Sequence, residues 1–184
     1  MAAKTPAEIR AEKRAHRKPS LTVEGARIMW RNFSGRQTQY NAKGKRNFNM
    51  VVPPEDVEAM KADGWNVKTK QPREDYPDDV PLSHLAVNVN YSENSRPPRV
   101  VLIAGDDRTE LDESTIDILD RVQIENVDLI INPSYYDVNG NTGYTAYLQA
   151  IYVTIVQDDL EKKYGSFVEN NVTGPSNYDD DSEF

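Results

Sequence analysis

The sequence predicts a mainly β protein, an OB-fold-like Greek-key barrel with one short helix and disordered termini. Several short segments alternate apolar and polar residues with the period of a half-buried strand. Only one segment gives a clear helix signal, whereas a parallel α/β sheet would need helices between most strands. The two ends of the chain have few of the apolar residues that a packed core requires.

The first predicted strand, 22–33, has two different faces. Ala26, Ile28 and Trp30 alternate with a second set that includes Arg27, Arg31 and Phe33. Because side chains in a strand point alternately to opposite sides, we expect the first set in the core and the second on a basic surface. The predicted strands are 22–33, 46–52, 65–70, 85–91, 99–104, 122–132 and 143–156.

Turn and cap residues separate these strands. Val57 and Met60 recur at helical spacing between Pro54 and Gly64, which favour the start and the end of a helix and so predict one over 55–63. Asn139-Gly140 is a strong hairpin signal between the last two strands. We expect the strands 85–91 and 99–104 to pair with each other, and 112–120 to form a small helix or turn.

Length and composition favour a single folded domain with two unlike ends. The expected boundaries are a basic flexible arm, 1–20, either disordered or loosely helical, an OB-fold-like domain, 21–157, and a flexible acidic tail, 158–184. The chain has no cysteine, which excludes disulfides and thiolate chemistry. It has no apolar run of about 18 residues, the length that marks a membrane helix, so we expect a cytoplasmic protein.

Charge is segregated along the chain. Residues 1–50 hold 12 Lys and Arg against 3 Asp and Glu, whereas residues 51–184 hold 10 against 27. The net charge of -8 therefore hides a basic region, and no acidic residue lies between Gly25 and Pro54. Segregated charge of this kind can present a positive surface to a polyanion while the whole chain remains acidic.

Cations and aromatic residues alternate within that basic region. Single-stranded nucleic acid needs both, since cations follow the phosphates and flat rings stack on bases. The alternative is that Phe33 and Phe48 are core residues and the cations form a solvated surface. The candidate DNA-binding residues are Arg27, Arg31, Phe33, Arg36, Tyr40, Lys43, Lys45 and Arg46, with Trp65, Lys68 and Tyr135 farther along the chain.

The acidic tail has two interpretations. A run of carboxylates often only solubilises a disordered end. Alternatively, it competes with DNA for the basic surface and, once displaced, binds partner proteins. The residues of this candidate partner-binding tail are Asp179, Asp180, Asp181, Glu183 and Phe184.

An enzymatic alternative depends on the acidic segment 106–113. Its carboxylates, Asp106, Asp107, Glu110, Asp112 and Glu113, could hold metal ions for phosphodiester cleavage, or they could form a solvated loop. The sequence has no P-loop, no GxSxG, no HExxH and no dinucleotide-binding fingerprint. A third alternative is a virion structural or adaptor protein whose barrel serves only for assembly.

Short motifs along 21–156 resemble the single-stranded DNA-binding proteins of tailed bacteriophages. They are Asn32-Phe33-Ser34-Gly35, Gly44-Lys45-Arg46-Asn47-Phe48, Gly64-Trp65, Gly143-Tyr144-Thr145-Ala146-Tyr147-Leu148 and Tyr152-Val153. The tail, Asp-Asp-Asp-Ser-Glu-Phe, is similar to the acidic tips of bacterial and phage single-stranded DNA-binding proteins.

This resemblance implies an OB-fold protein without catalytic activity, metal or cofactor. Such a protein coats single-stranded DNA without sequence preference during replication, recombination and repair. Replication or recombination proteins would bind the tail, and the edge strands are compatible with a homodimer. For a phage-encoded chain the expected location is the cytoplasm of the host cell.

Overall fold

Nine β-strands form one mixed sheet in the computed structural model, which describes residues 4–157. Two α-helices accompany them, α1 (Pro6–Ala15) and α2 (Val57–Ala62). Neither helix is long and apolar enough to cross a membrane. The strands are β1 (Leu21–Val23), β2 (Ile28–Asn32), β3 (Arg46–Val51), β4 (Val67–Lys70), β5 (Leu82–Val89), β6 (Arg99–Ala104), β7 (Asp107–Leu111), β8 (Ile124–Val138) and β9 (Asn141–Ile155).

Strand β9 connects the different parts of the sheet. It pairs antiparallel with β8 over nearly its whole length, and parallel with both β5 and β6. The main path runs β1-β8-β9-β5-β3-β2, while β4 pairs with β5 and β7 with β6. Within residues 4–157 no pairing joins β1 to β2, so the sheet is not closed. The predicted mainly β, OB-like fold class is confirmed.

The elements with strong local signals lie where the sequence predicted them. Asn139 and Gly140 form the β8–β9 turn, and both have the positive φ that this type of two-residue hairpin requires. Helix α2 follows a 3₁₀ turn, Pro54–Asp56, and is followed by Gly64 with φ +92°. Strand β6 has the predicted bounds.

Three predictions about the strands are wrong. The segment 22–33 divides at Gly25, where φ is +62°, so that β1 pairs with β8 and β2 with β3. The predicted pairing of 85–91 with 99–104 does not occur, because β6 lies between β7 and β9. The acidic segment 106–113, for which a solvated loop was one of the two interpretations, contains strand β7.

The core covers one face of the sheet. Phe33 and Phe48 stack at 5.2 Å between ring centroids, and neither ring has exposed surface. Ile116 and Leu119 of the 3₁₀ turn Ile116–Asp120 are buried in the same cluster. These contacts fix the end of β2 against the segment that leads into β8.

The N-terminal segment contains a capped helix. Thr5 caps α1 and Glu8 bonds back to the backbone of Thr5, which completes a capping box. Of the two alternatives predicted for this segment, disorder or a loose helix, a helix is observed over Pro6–Ala15. The acidic tail predicted over 158–184 lies outside the described residues.

Replacement of Phe33 by Ala should destabilise the protein. The substitution leaves a cavity in the core, and loss of a buried Phe costs about 3–5 kcal/mol. Urea unfolding followed by circular dichroism measures this change. Tyr40→Ala is the control, because this exposed ring should contribute no more than about 0.5 kcal/mol. Equal stability of the two variants would contradict a core role for Phe33.

Candidate nucleic-acid interface

One face of the sheet, here called the outer face, points away from the core on β2, β3, β4 and β5. Buried and partly exposed side chains alternate along β3 and β5. The pairs Asn47↔Asn88 and Lys68↔His84 place exposed or partly exposed side chains of neighbouring strands on the same side. The outer face includes Trp30, Asn47, Asn49, Lys68, Lys70, His84 and Asn88.

A β-bulge in β2 determines which aromatic rings reach the outer face. The register with β3 shifts between Met29 and Asn32, which breaks the strict alternation of sides. Trp30 is 49% exposed, whereas Phe33 is fully buried. Strict alternation therefore placed both rings wrongly, and for Phe33 the alternative of a core residue is the observed one. Trp30, expected in the core, lies on the outer face, and Phe33, expected to stack on bases, belongs to the core.

The backbone at Trp30 is strained. Its φ is +49°, a region that bulky residues rarely adopt and that costs on the order of 1–3 kcal/mol. Strain of this size persists only where the surrounding structure imposes it, and it is concentrated at binding sites. The Trp30 ring meets His84 edge-on at 4.9 Å between centroids, and Lys70 Nζ lies 5.6 Å from the ring centre.

Asn32 holds the start of the loop that follows β2. Its buried side chain accepts a hydrogen bond from the Arg36 N–H at 3.1 Å and donates one to the Arg36 carbonyl at 3.0 Å. The Asp120 carboxylate accepts bonds from the N–H groups of Phe33 at 2.7 Å and Ser34 at 3.0 Å. The backbone of Arg36 is thus fixed while its side chain remains exposed.

Two glycines close the base of this loop. The Gly44 N–H donates to the Gly35 carbonyl at 2.7 Å, and a Cβ on Gly35 would lie 3.2 Å from the Gly44 backbone. Gly35 also has φ +67°, so other residues would be strained here. The loop presents Tyr40, which is 84% exposed.

The loop and the outer face enclose an open cleft of about 630 Å³. Its walls carry amides, cations and two exposed aromatic rings, and none of the residues that line it is acidic. Amide side chains both donate and accept hydrogen bonds, so they can meet the edge of any base. The cleft is lined by Trp30, Arg31, Asn32, Arg36, Thr38, Gln39, Tyr40, Asn41, Asn47, Asn49 and Lys70.

Several predicted site residues meet at this cleft. Arg31, Arg36 and Tyr40 line it, and Lys68 lies beside His84 on the same face. Three further cations are exposed in the adjoining loops, before β2 and between β2 and β3. They are Arg27, Lys43 and Lys45.

Two of the predicted cations have structural contacts. Arg31 Nη1 donates to two backbone carbonyls in 119–122, at 2.8 and 3.0 Å. Arg46 was expected at phosphates, but its side chain, 18% exposed, pairs with Glu113 at 3.0 Å. Its guanidinium lies 5.5 Å from the centre of the Tyr91 ring, and burial raises the pKa of Tyr91 to about 12. Arg46 therefore supports the fold and does not line the cleft.

Trp65 and Tyr135, both expected to stack on bases, lie apart from the cleft. Trp65 is buried beside Tyr144, at 6.2 Å between ring centroids. The His16 imidazole stacks on Tyr135 at 4.1 Å with an interplanar angle of 12°. Trp65 thus has no accessible ring face, and one face of Tyr135 is covered.

The sequence interpretation omitted Trp30, Lys70 and His84 from the site. Strict alternation put Trp30 in the core, and only the bulge reverses this. Lys70 follows Lys68 by two residues, so the strand period could have placed both on one side. Nothing local brings His84 to Trp30, because their strands are separated in the sheet by β3.

The acidic segment 106–113 does not assemble a metal site. Among the described residues no three acidic or histidine side chains lie close enough to hold one ion. Glu110 and Glu113 each pair with an arginine. Asp112 accepts hydrogen bonds within its own turn, of which the Ser114 hydroxyl contributes most to the lowered pKa of its carboxyl.

The surroundings of His84 on the outer face affect the pKa of its imidazole. Burial lowers the pKa of His84, and the neighbouring Lys68 and Lys70 lower it further. Nδ1 of the ring lies 2.9 Å from Oδ1 of Asn49. The imidazole therefore stays neutral near pH 7, and the two lysines supply the positive charge around it.

Lys68→Gln should raise the pKa of His84 only partway toward its usual value, because burial remains. An NMR titration of the imidazole measures this shift, and Lys61→Gln in α2 is the control. Since folding lowers this pKa, the free energy of unfolding should decrease as the pH falls through about 6.5, the value of an unperturbed histidine. The same titration curve in all three proteins would contradict the contact with Lys68.

Comparison with known proteins relates this chain to phage proteins. Residues 11–182 match the model of a family described as "Putative phage ssDNA-binding domain". No curated protein matches the chain. A similar solved structure is the single-stranded DNA-binding protein from bacteriophage Enc34 in complex with ssDNA, at 15% identity over 76% of this chain and 88% of that chain, with a TM-score of 0.47.

Two further structures are similar. A second structure of the single-stranded DNA-binding protein from bacteriophage Enc34 is 13% identical over 83% of this chain and 89% of that chain, with a TM-score of 0.45. The gp2.5 single-stranded DNA binding protein encoded by bacteriophage T7 is 9% identical over 86% of this chain and 99% of that chain, with a TM-score of 0.38. The family model, in contrast, covers all nine strands and the outer face. The chain therefore belongs to the phage ssDNA-binding domain family.

Proposed function

We propose that this chain binds single-stranded DNA on the outer face, coating and protecting it without sequence preference during phage DNA replication, recombination and repair. The exposure and position of the Trp30 ring are the main support for the proposal. A large ring, half exposed and held in a strained backbone, lies in a cleft without carboxylates. Base stacking on such a ring contributes about 1–3 kcal/mol per base and does not depend on the identity of the base.

Cations around the ring supply the second component of the site. Lys70 lies next to Trp30, and Lys68 lies on the same face of β4 as Lys70. Arg36 lines the same cleft as Trp30. Positive charge beside an exposed ring allows phosphates to be neutralised while a base stacks. Asn47 and Asn49 offer both donors and acceptors to base edges, which supports binding without a preferred sequence.

The protein in this proposal is not an enzyme. Its role would be to hold the strand extended and accessible to other proteins in the host cytoplasm. The acidic residues of 178–184 would compete with DNA for the outer face and recruit replication or recombination proteins when DNA displaces them. Opposite charges of the tail and the region 25–54 support this competition.

The first test is fluorescence anisotropy with labelled oligo-dT and with a duplex of the same length, at two salt concentrations. Tight binding of the single strand alone, weakened by salt, is expected. Absence of binding at low salt, even after removal of 178–184, would contradict the proposal and favour a virion adaptor. An increase in the pKa of His84 on addition of oligo-dT would locate the phosphates on the outer face.

Trp30→Ala should raise the Kd for oligo-dT by about 5- to 150-fold, which corresponds to the loss of one stacked base. Tyr76→Ala is the matched control, because this ring is 61% exposed and does not line the cleft. Trp30→Phe should retain much of the affinity. An unchanged Kd for Trp30→Ala would exclude Trp30 as a stacking platform.

Arg36→Gln and Lys70→Gln should each reduce the dependence of binding on salt. Each phosphate neutralised on a single strand contributes about 0.7 to the slope of log K against log salt concentration. The slope should therefore decrease by about 0.7 for either variant. Arg121→Gln, which removes an exposed cation paired with Asp117, should leave the slope unchanged.

Deletion of 178–184 should tighten the binding of oligo-dT at low salt, because a competing anion is removed. The effect should vanish at high salt, where the attraction between tail and outer face is screened. Anisotropy titrations of the full and shortened chains measure it. Equal affinities at low salt would count against competition by the tail.

A further inference from the structure

Helix α1 is held against the β8–β9 hairpin by specific contacts. Lys4 pairs with Asp137 at 2.7 Å, which lowers the pKa of that carboxyl. At the other end of the helix, the His16 ring stacks on Tyr135, and its carbonyl accepts a hydrogen bond from the Tyr144 hydroxyl at 3.0 Å. The helix is therefore tied to the hairpin at both ends.

The segment that leaves α1 is also held. Lys18 Nζ binds the Asp63 carboxylate and lies 4.6 Å from the centre of the Tyr144 ring. Ser20 Oγ donates to Gln149 Oε1 at 2.7 Å. Lys18 offsets the charge of Asp63, and Lys4, which Asp137 shares with Glu12, offsets part of the charge of Asp137, so these carboxylates repel a polyanion less strongly.

The cations of α1 that do not hold it in place share one side of the helix. Arg10, Lys13 and Arg14 are spaced by three and four residues, and Arg17 lies two residues beyond the end of the helix. All four are exposed, and none forms an ion pair among the described residues 4–157. We call these four residues the basic strip.

The acidic residues of α1 are on a different side and have partners. Glu8 bonds to the backbone and hydroxyl of Thr5, and Glu12 pairs with Lys4 at 2.8 Å. Neither carboxylate forms an ion pair with a cation of the basic strip. From Arg10 to Arg14 a helical rise of 1.5 Å per residue gives a length of about 6 Å, which spans about two phosphates at 3.4 Å each along a stacked strand. Arg17 extends the strip beyond the end of the helix.

The end of this segment lies next to the outer face. Gln149, the partner of Ser20, is exposed on β9 two residues after Tyr147. Tyr147 pairs with Asn88, which belongs to the outer face. A single strand that leaves the outer face across β9 would thus meet the segment that leads to α1.

We infer that the basic strip is a second binding surface for the phosphate backbone, used by strands long enough to extend beyond the outer face. This inference rests on the proposed function, because the outer face must bind the strand first. The contacts of Lys4, His16 and Lys18 hold the strip in position, so phosphates meet an ordered surface and not a freely moving arm.

The test compares two triple variants that remove the same charge. Arg10→Gln/Arg14→Gln/Arg17→Gln alters the strip, whereas Arg96→Gln/Arg99→Gln/Arg108→Gln alters exposed cations on and beside β6 and β7. Each protein is titrated with oligo-dT of about 6 and about 20 nucleotides, lengths chosen against the 4–16 nucleotides that one OB fold covers. Thermal unfolding checks that both variants fold.

The strip variant should bind the long oligonucleotide more weakly, with a salt slope reduced by about 2, equivalent to three phosphates. Its affinity for the short oligonucleotide should match that of the control variant. Equal affinities of both variants for the long strand would overturn the inference, and so would an equal loss for both lengths. In either case, the proposed function stands if the unaltered chain binds tightly. If the unaltered chain does not bind, the proposed function is overturned as well.

Discussion

The β-bulge between Met29 and Asn32 is the constraint on which both the core and the outer face depend. One extra residue in β2 directs Trp30 outward and allows Phe33 to stack on Phe48 inside. With a regular strand, the larger ring would enter the core and the smaller one would leave it. The same local distortion therefore stabilises the fold and exposes the ring proposed to bind bases.

The basic residues of this region divide into two groups because of where the backbone places them. Arg31 and Arg46 are bound to carbonyls or to a carboxylate and connect β2 and β3 to later parts of the chain. Arg36 and Lys70 keep exposed side chains around the cleft. The buried amide of Asn32 fixes the backbone from which Arg36 extends.

Local signals in the sequence were sufficient for the hairpin turn at Asn139-Gly140, for α2 before Gly64 and for the fold class. Within the candidate site, exposed cations such as Arg36 could be found because a stretch without acidic residues marks a surface. The exchange of Trp30 and Phe33 could not, because a bulge depends on pairing with β3 and leaves no periodic signal. The docking of α1 could not be predicted from the sequence, because its contacts join residues more than a hundred positions apart.

The position of β9 has a consequence for synthesis on the ribosome. This strand is the partner of β5, β6 and β8, and it is the last strand described. During translation, β1 must wait for β8, more than a hundred residues later, and β5 and β6 cannot be joined into one sheet until β9 has left the exit tunnel. A nascent chain stalled before Asn141 would present several unpaired strand edges together, which makes it a substrate for chaperones or proteases.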